Sequence, residues 1–393
     1  MKILFAGDIV IYEPDKFAIS ERLKELFIEQ DISVCNFEAP IANSEIDMKI
    51  LKIGPNICQG TESIECLAQV GFKLVSLANN HIMDYGKNGL KNTFDELAKK
   101  NISGVGAGFS FEEAYKPYFF ELNDTKVAFI ALGQAEFGVF KHEENDSGYA
   151  WINHPKINDL IIKTKKQVDF LYIIIHAGVE QIPYPLPEWQ MRYRELIDCG
   201  ADCIIGSHPH IVQGYEVYKN KYIFYSLGNF YFNTEGITKE VEKEWNRSLV
   251  TLINTDNPME ISIIPVSVKN NIIDIEESTD FKYDIANRSN LIMDSEKYTK
   301  TMNDIAEKLW NSNYKNYYFR ALRPDKTYIN NLSLKQIIKY SLIRIISKIR
   351  LGKWQVSPEI DNSMLLHNIQ IESHRWIVER YLYNFNVHEN KFV

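Results

Sequence analysis

No stretch of the chain approaches the roughly 18 consecutive apolar residues that a membrane-spanning helix needs. The longest apolar run, at Phe170–Val179, is about half that length. Any membrane contact is therefore expected to be peripheral. Basic charge is scarce as well: 44 lysines and arginines stand against 52 aspartates and glutamates, a formal net charge of −8. Without a global basic field the chain has no general means of drawing in a polyanion, which argues against nucleic acid as its main partner. Cysteines are few and unpatterned. Cys35, Cys58, Cys66, Cys199 and Cys203 are odd in number, never spaced C-x-x-C, and mostly set in apolar runs. They point to buried reduced thiols rather than to a disulfide framework or a closed zinc site, which favours a cytoplasmic protein. Met1-Lys2 leads straight into an apolar strand, so no secretory leader is expected.

What the chain has instead is a set of short apolar runs that stop abruptly in polar, metal-binding residue types. Met1–Ala6 ends in Gly7-Asp8, and Ile32–Cys35 ends in Asn36-Phe37-Glu38. Leu74–Leu77 feeds Asn79-Asn80-His81, and Phe170–Ile175 feeds His176-Ala-Gly178. Ala201–Ile205 runs into Gly206-Ser-His208-Pro-His210. A single ending of this kind is a turn or a helix cap. Five of them place carboxylate, amide and imidazole at the carboxyl ends of buried strands, where open α/β sheets put their ligand sites.

Length and patterning give the frame. A chain of 393 residues with 45% hydrophobic content can bury one large domain and carry an extension. Apolar stripes predict helices near Ala18–Glu29, Thr61–Val70, Gly86–Lys100 and Glu188–Cys199. Hairpins are expected at Tyr118–Leu132 and Tyr215–Ser226, and strands near Ser248–Asn254 and Glu260–Val268. Residues 134–155, with Glu136, His142 and His154, read as loop. The triple Gly104-x-Gly106-x-Gly108 lacks the spacing of a nucleotide fingerprint. The α/β part is expected to span 1–285 and a helical extension 286–393. Within the extension, Ser333–Arg350 reads as an amphipathic helix. Its basic face, with Lys335, Lys339 and Arg344, is either the solvated side of a packed helix or a contact for an anionic membrane surface or an acidic partner.

Carboxylate, amide oxygen and imidazole together suit Mn²⁺, Fe²⁺ or Zn²⁺. Six ligands are too many for one tetrahedral zinc and suit two divalent ions that share a carboxylate. The same segments, with Asp84-x-Gly86, Gly106-Ala-Gly108 and Tyr225-Ser-Leu-Gly-Asn-Phe230, resemble the bacterial capsule-synthesis family associated with poly-γ-glutamate capsules. That family is related to calcineurin-like metallophosphoesterases. The resemblance covers about residues 1–235. It implies a four-layer α-β-β-α metallophosphoesterase-like sandwich with a dinuclear metal centre at the strand ends. By the same resemblance Asp8, Glu38, Asn80, His176, His208 and His210 are the metal ligands, and His81 is the acid toward the leaving group. Two departures stand out: Val10 occupies the histidine position of an Asp-x-His motif, and Glu38 replaces a bridging aspartate.

The reading that follows is a metal-dependent hydrolase in which metal-activated water attacks a phosphoester or a γ-glutamyl-type bond. Its substrate would be a small or polymeric anion of envelope or capsule metabolism. The rival is a non-catalytic polymer-binding assembly factor, which the missing first-motif histidine favours. Asp84 is assigned to the catalytic pair, as either an orienting partner for His81 or a helix cap. Glu180 and Gln213 are either cleft-lining residues or loop residues without a role, Asn229 is a turn candidate, and His367, His374 and His388 are expected at surface or packing positions.

Overall fold

The computed structural model of the chain describes residues 1–43, 47–142, 146–232, 238–255, 260–315, 318 and 367–388. Strand β1 (Lys2–Val10) is buried from Ile3 onward, as a strand covered on both faces must be. On one side of it run the parallel strands β3 (Ile32–Phe37), β4 (Leu74–Ser76) and β5 (Ser103–Val105). On the other side β16 (Arg247–Asn254), β17 (Ile261–Lys269) and β18 (Ile272–Ile275) alternate in direction, and β2 (Ala18–Ile19) closes the edge. The end of β1 also pairs with β15 (Asn229–Phe232).

A second sheet has a parallel centre of β8 (Thr125–Gly133), β11 (Phe170–His176), β12 (Cys203–Ser207) and β14 (Lys221–Leu227). Its antiparallel edges are β7 (Tyr118–Leu122) and β13 (Val212–Tyr218). The two sheets meet through aromatic side chains: Phe5 of β1 lies 6.1 Å from Phe129 of β8 and 5.5 Å from Tyr172 of β11, ring centre to ring centre. Helices α1 (Glu21–Ile28), α2 (Glu62–Val70) and α3 (Gly86–Lys99) flank the first sheet, and α5 (Ile157–Lys165) and α6 (Pro187–Asp198) flank the second. The result is a four-layer α-β-β-α sandwich, as the sequence led us to expect. A small third sheet joins β6 (Ala107–Gly108) to β10 (Gly148–Ala150) and β9 (Val139–Phe140), the last two in the stretch read as loop.

Local chemistry explains most element ends. Ser20 caps α1 by accepting from Leu23 N, and Gly71 ends α2 at φ +104. Both hairpins turn on two residues with positive φ, Asn123-Asp124 and Lys219-Asn220, which matches the twist of the flanking strands. The expected first helix starts later than its apolar stripe because Ala18 and Ile19 pair with β18 instead. All five cysteines are free thiols, and Cys35, Cys66 and Cys203 are buried.

By contact the described residues form two compact units, Met1–Met302 and Asn303–Val393. The expected boundary at 285/286 falls inside a helix, α8 (Thr279–Met293), which packs on β13 within the first unit. In the second unit a final helix, Glu372–His388, contributes Tyr381 to a stack on Trp310. His367 and His374 pack edge to face there, and burial pushes His374 down to about 3. The expected helix at Ser333–Arg350 lies outside the described residues. Among the described residues no helix is long and apolar enough to cross a membrane.

The turn from β18 into α8 hangs on one carboxylate. Glu276 accepts from Ser267 Oγ and from the Ser278 amide, and Lys269 Nζ lies 2.8 Å away. These partners, Lys269 first, hold its pKa down to about 2 against an ordinary value of 4.5. A depressed carboxylate adds stability above its ordinary pKa and loses it as pH falls through the folded one. Glu276→Gln should therefore lower the melting temperature by a few degrees at pH 7. The gap from wild type should close between about pH 4.5 and pH 2, as thermal melts across that range would record.

Candidate metal centre

The strand ends converge. Asp8 of β1, Glu38 just beyond β3, Asn80 beyond β4, His176 at the tip of β11, and His208 and His210 beyond β12 face one buried space between the sheets. Ligand atoms of Glu38, His176 and His208 all lie within 4.8 Å of one another, and so do those of Asp8, Glu38 and His210. Glu38 belongs to both groups. The structure thus brings all six expected ligand residues together, and Glu38 sits where a carboxylate could be shared by two ions.

Each side chain is held from behind. Asp8 Oδ1 accepts from Asn36 Nδ2 at 2.8 Å, and Oδ2 accepts the His208 amide at 3.0 Å. Asn36 also meets His176 Nδ1 at 3.1 Å, which leaves His176 Nε2 pointing at Asn80 Oδ1 3.0 Å away. His210 Nδ1 is 3.0 Å from Asn229 Oδ1, and the ring is flanked by Phe232 and Trp245. Such partners fix the ring and the tautomer of a ligating histidine. His208 and His210 both take positive φ, +98 and +61, on either side of Pro209. Left-handed backbone at two non-glycine residues is strained and clusters at functional sites.

The electrostatics test whether these residues fit a cation. Glu38 is fully buried, and neither carboxylate oxygen has a hydrogen-bond partner. Burial pushes its carboxyl well above the usual range, and Asp8, Glu180, Glu136 and Asp84 add to the rise. Burial also works on Asp8, but the hydrogen bonds from His176 and the His208 amide, with His210 close by, overcome it and hold that carboxyl low. Desolvation drives His176 toward the neutral form that ligates metals. Lone pairs crowd the centre: His176 Nε2 lies 3.0 Å from His208 Nδ1 and from Asn80 Oδ1, and 3.6 Å from Glu38 Oε1. One proton cannot serve all of these contacts. The set fits a divalent ion of the Mn²⁺, Fe²⁺ or Zn²⁺ type.

Beside the ligands lies a polar relay. His81 Nδ1 is 2.7 Å from Asp84 Oδ2, and Lys52 Nζ bonds to Asp84 Oδ1. Asp84 therefore orients His81; the residue at the start of α3 is Tyr85, and no side chain caps that helix. Burial lowers the His81 pKa, and the bond to Asp84 opposes it only in part. Gln213 pins the proline-rich loop through Ile182 O and Tyr184 O, and Glu180 is exposed.

Sequence reasoning missed the roles of Gln134, Glu136 and Lys52, as well as that of Asn36 behind Asp8 and His176. Gln134 Nε2 lies 3.0 Å from His208 Nε2 and 2.5 Å from Glu136 Oε1, and burial raises the Glu136 carboxyl to about 7. The signal was present, because β8 is one more apolar strand that stops in polar residues. Lys52 carried no signal, since it arrives from an irregular stretch with no periodicity.

The profile of the family described as "Bacterial capsule synthesis protein PGA_cap" matches residues 2–234, more than half of the chain. The chain belongs to this family. Among curated PGA_cap relatives, "PGA biosynthesis protein CapA" of Bacillus subtilis (strain 168) is 32% identical over 58% of this chain and 62% of its own length. "Capsule biosynthesis protein CapA" of Bacillus anthracis is 30% identical over 60% of this chain and 57% of its own. The chain thus spans about six tenths of the length of these two relatives. A 5'-nucleotidase structure from Candida albicans SC5314 overlaps 76% of this chain and 58% of its own at 11% identity and a TM-score of 0.41.

Loss of the shared carboxylate should abolish metal binding. Glu38→Gln should bring bound Mn²⁺ below one ion per chain, while chelated Glu38→Gln should be more stable than chelated wild type. A raised carboxyl stabilises below its ordinary pKa and ceases to do so as pH rises through the folded value. The variant's advantage should therefore grow from pH 5 to pH 8, as metal analysis and paired melts would show.

Proposed function

We propose that the chain is a metal-dependent hydrolase of envelope or capsule polymer metabolism, acting on a phosphoester or a γ-glutamyl-type bond of an anionic substrate. Asp8, Glu38, Asn80, His176, His208 and His210 would hold two divalent ions. When bound, such a pair supplies Lewis acidity and an activated water. The observation that carries the reading is Glu38: a buried carboxylate without a hydrogen-bond donor, shared by two ligand groups and set beside a histidine–aspartate pair.

The protein's own residues do the rest. His81 Nδ1 donates a 2.7 Å hydrogen bond to Asp84 and keeps its proton, so Nε2 is the nitrogen left for substrate. Protonated from solvent, Nε2 passes that proton to the leaving atom, which departs neutral while His81 returns to its uncharged form. Burial of the ligand set excludes bulk water and strengthens every charge interaction within it.

A second reading, a polymer-binding assembly factor without turnover, draws on Val10. It is buried and apolar at the position where an Asp-x-His motif would supply one more ligand. Two variants separate the readings. His210→Ala should reduce both metal content and hydrolysis. His81→Ala should leave metal content and melting temperature in place while kcat falls by roughly 10²–10⁴-fold. The loss should shrink for substrates with good leaving groups, which need little protonation. Equal loss across a leaving-group series defeats the acid role, and metal-loaded wild type without turnover on phosphodiester or γ-glutamyl substrates supports the binding factor.

A further inference from the structure

Lysine is seldom found inside a protein, and a buried ammonium persists only beside a counter-charge. Lys52 is such a residue, with a side chain only 4% exposed. Its Nζ bonds to Asp84 Oδ1 and stands 3.2 Å from His81 Nδ1. Asp84 is itself fully buried and receives two more donors on Oδ2, His81 Nδ1 at 2.7 Å and the Ile57 amide at 2.8 Å.

The loop that delivers Lys52 does not depend on that ion pair. Ile50 N donates to Asp84 O, and Asn56 Nδ2 donates to both Ile50 O and Asp84 O. With the Ile57 amide on the carboxylate, residues 50–57 are strapped around Asp84 from both sides. The Lys52 ammonium is surplus to this anchoring. What it adds is a donor on the one Asp84 oxygen that His81 and Ile57 leave open.

Donor chemistry says what that addition does. An ammonium has three protons and no lone pair, so it cannot accept a proton from His81. An ionised carboxylate is acceptor-only, so the short contact between His81 and Asp84 is a bond in which Nδ1 donates and the carboxylate accepts. With Oδ1 occupied, the carboxylate has no reason to turn and offer its other oxygen. We propose that Lys52 is a positioning residue: by holding Asp84 Oδ1 it fixes His81 as the Nδ1–H tautomer and reserves Nε2 for the substrate. Its consequence for turnover rests on the hydrolase reading above; the effect on His81 itself does not.

The test uses the full chain with ¹⁵N-labelled histidine, the His81 signals being assigned by their loss in His81→Ala. Wild type should show a protonated Nδ1 and a bare Nε2. Lys52→Met should average the two nitrogens, and Lys52→Arg should restore the wild-type pattern. If Lys52→Met does not fold, Lys52→Gln, which lacks the charge and the reach, is read in its place. With Mn²⁺ loaded, kcat of the lysine variant on poor leaving groups should fall by about 10–100-fold, the usual effect of losing a partner that orients a site residue. KM and metal content should hold. His81→Ala combined with Lys52→Met should be no slower than His81→Ala alone. An unchanged nitrogen pattern in folded Lys52→Met, or a further loss in the double variant, overturns the proposal. If the nitrogen pattern changes while even wild type shows no turnover, the positioning role stands and the hydrolase reading falls.

Discussion

A carboxylate removed from water and given no hydrogen-bond donor is among the most costly groups a protein can bury. Glu38 is in that position, with imidazoles beside its Oε1, His176 at 3.6 Å and His210 at 3.7 Å. Burial holds His176 toward its neutral form, so it does not supply the missing positive charge. The other residues of the space deepen the conflict, because Asp8 and Glu136 are carboxylates and Asn80 presents a carbonyl oxygen to His176. A divalent cation would resolve all of these at once, taking the lone pairs and balancing the charge. The donor set fits such an ion.

That requirement falls on the whole sandwich. Asp8, Glu38 and Asn80 come from the first sheet, and His176, His208 and His210 come from the second. Neither sheet carries a full ligand set, so the carboxyl ends of both must meet at one edge of the core. The contacts of Phe5 with Phe129 and Tyr172 set the spacing between the layers. Gly7 sets the approach of β15: a Cβ there would fall 1.8 Å from Gly228 O, the atom that accepts the Asp8 amide. A side chain at position 7 would push away the strand that brings Asn229 to His210.

Most of this was legible because one physical signal repeats. A buried strand reads as an apolar run, and its end is marked by the residue that must leave the core. Asp8, Glu38, Asn80, His176, His208 and His210 all carry that mark. Gln134 and Glu136 carry it too, and were passed over only because the segment after β8 has no regular pattern. Lys52 and Asn36 are different. Asn36 lies within its strand, where an amide looks like any inward polar residue, and Lys52 reaches the site from an irregular excursion. Their roles depend on tertiary contacts 28 to 32 residues away in sequence, which no local period records. The edge strand β2 shows the same limit, since Ala18 and Ile19 match a helical stripe until β18, far along the chain, pairs with them.

The two ligand groups are not equal, and the inequality begins at Val10. Glu38, His176 and His208 have Asn80 as a close fourth member, with its Oδ1 3.0 Å from His176 Nε2. Asp8, Glu38 and His210 have no such companion from β1, where a buried valine stands two residues after Asp8. Closed four-ligand sets belong to structural ions, and three protein ligands with a position open belong to ions that meet substrate. The strained backbone at His210 and the rings of Phe232 and Trp245 beside it show that the three-residue group is nonetheless built with care. Strain of this kind costs about 1–3 kcal/mol per residue and persists only where surrounding contacts enforce it. With an ion bound, such a group would leave one coordination position to be filled from outside the chain.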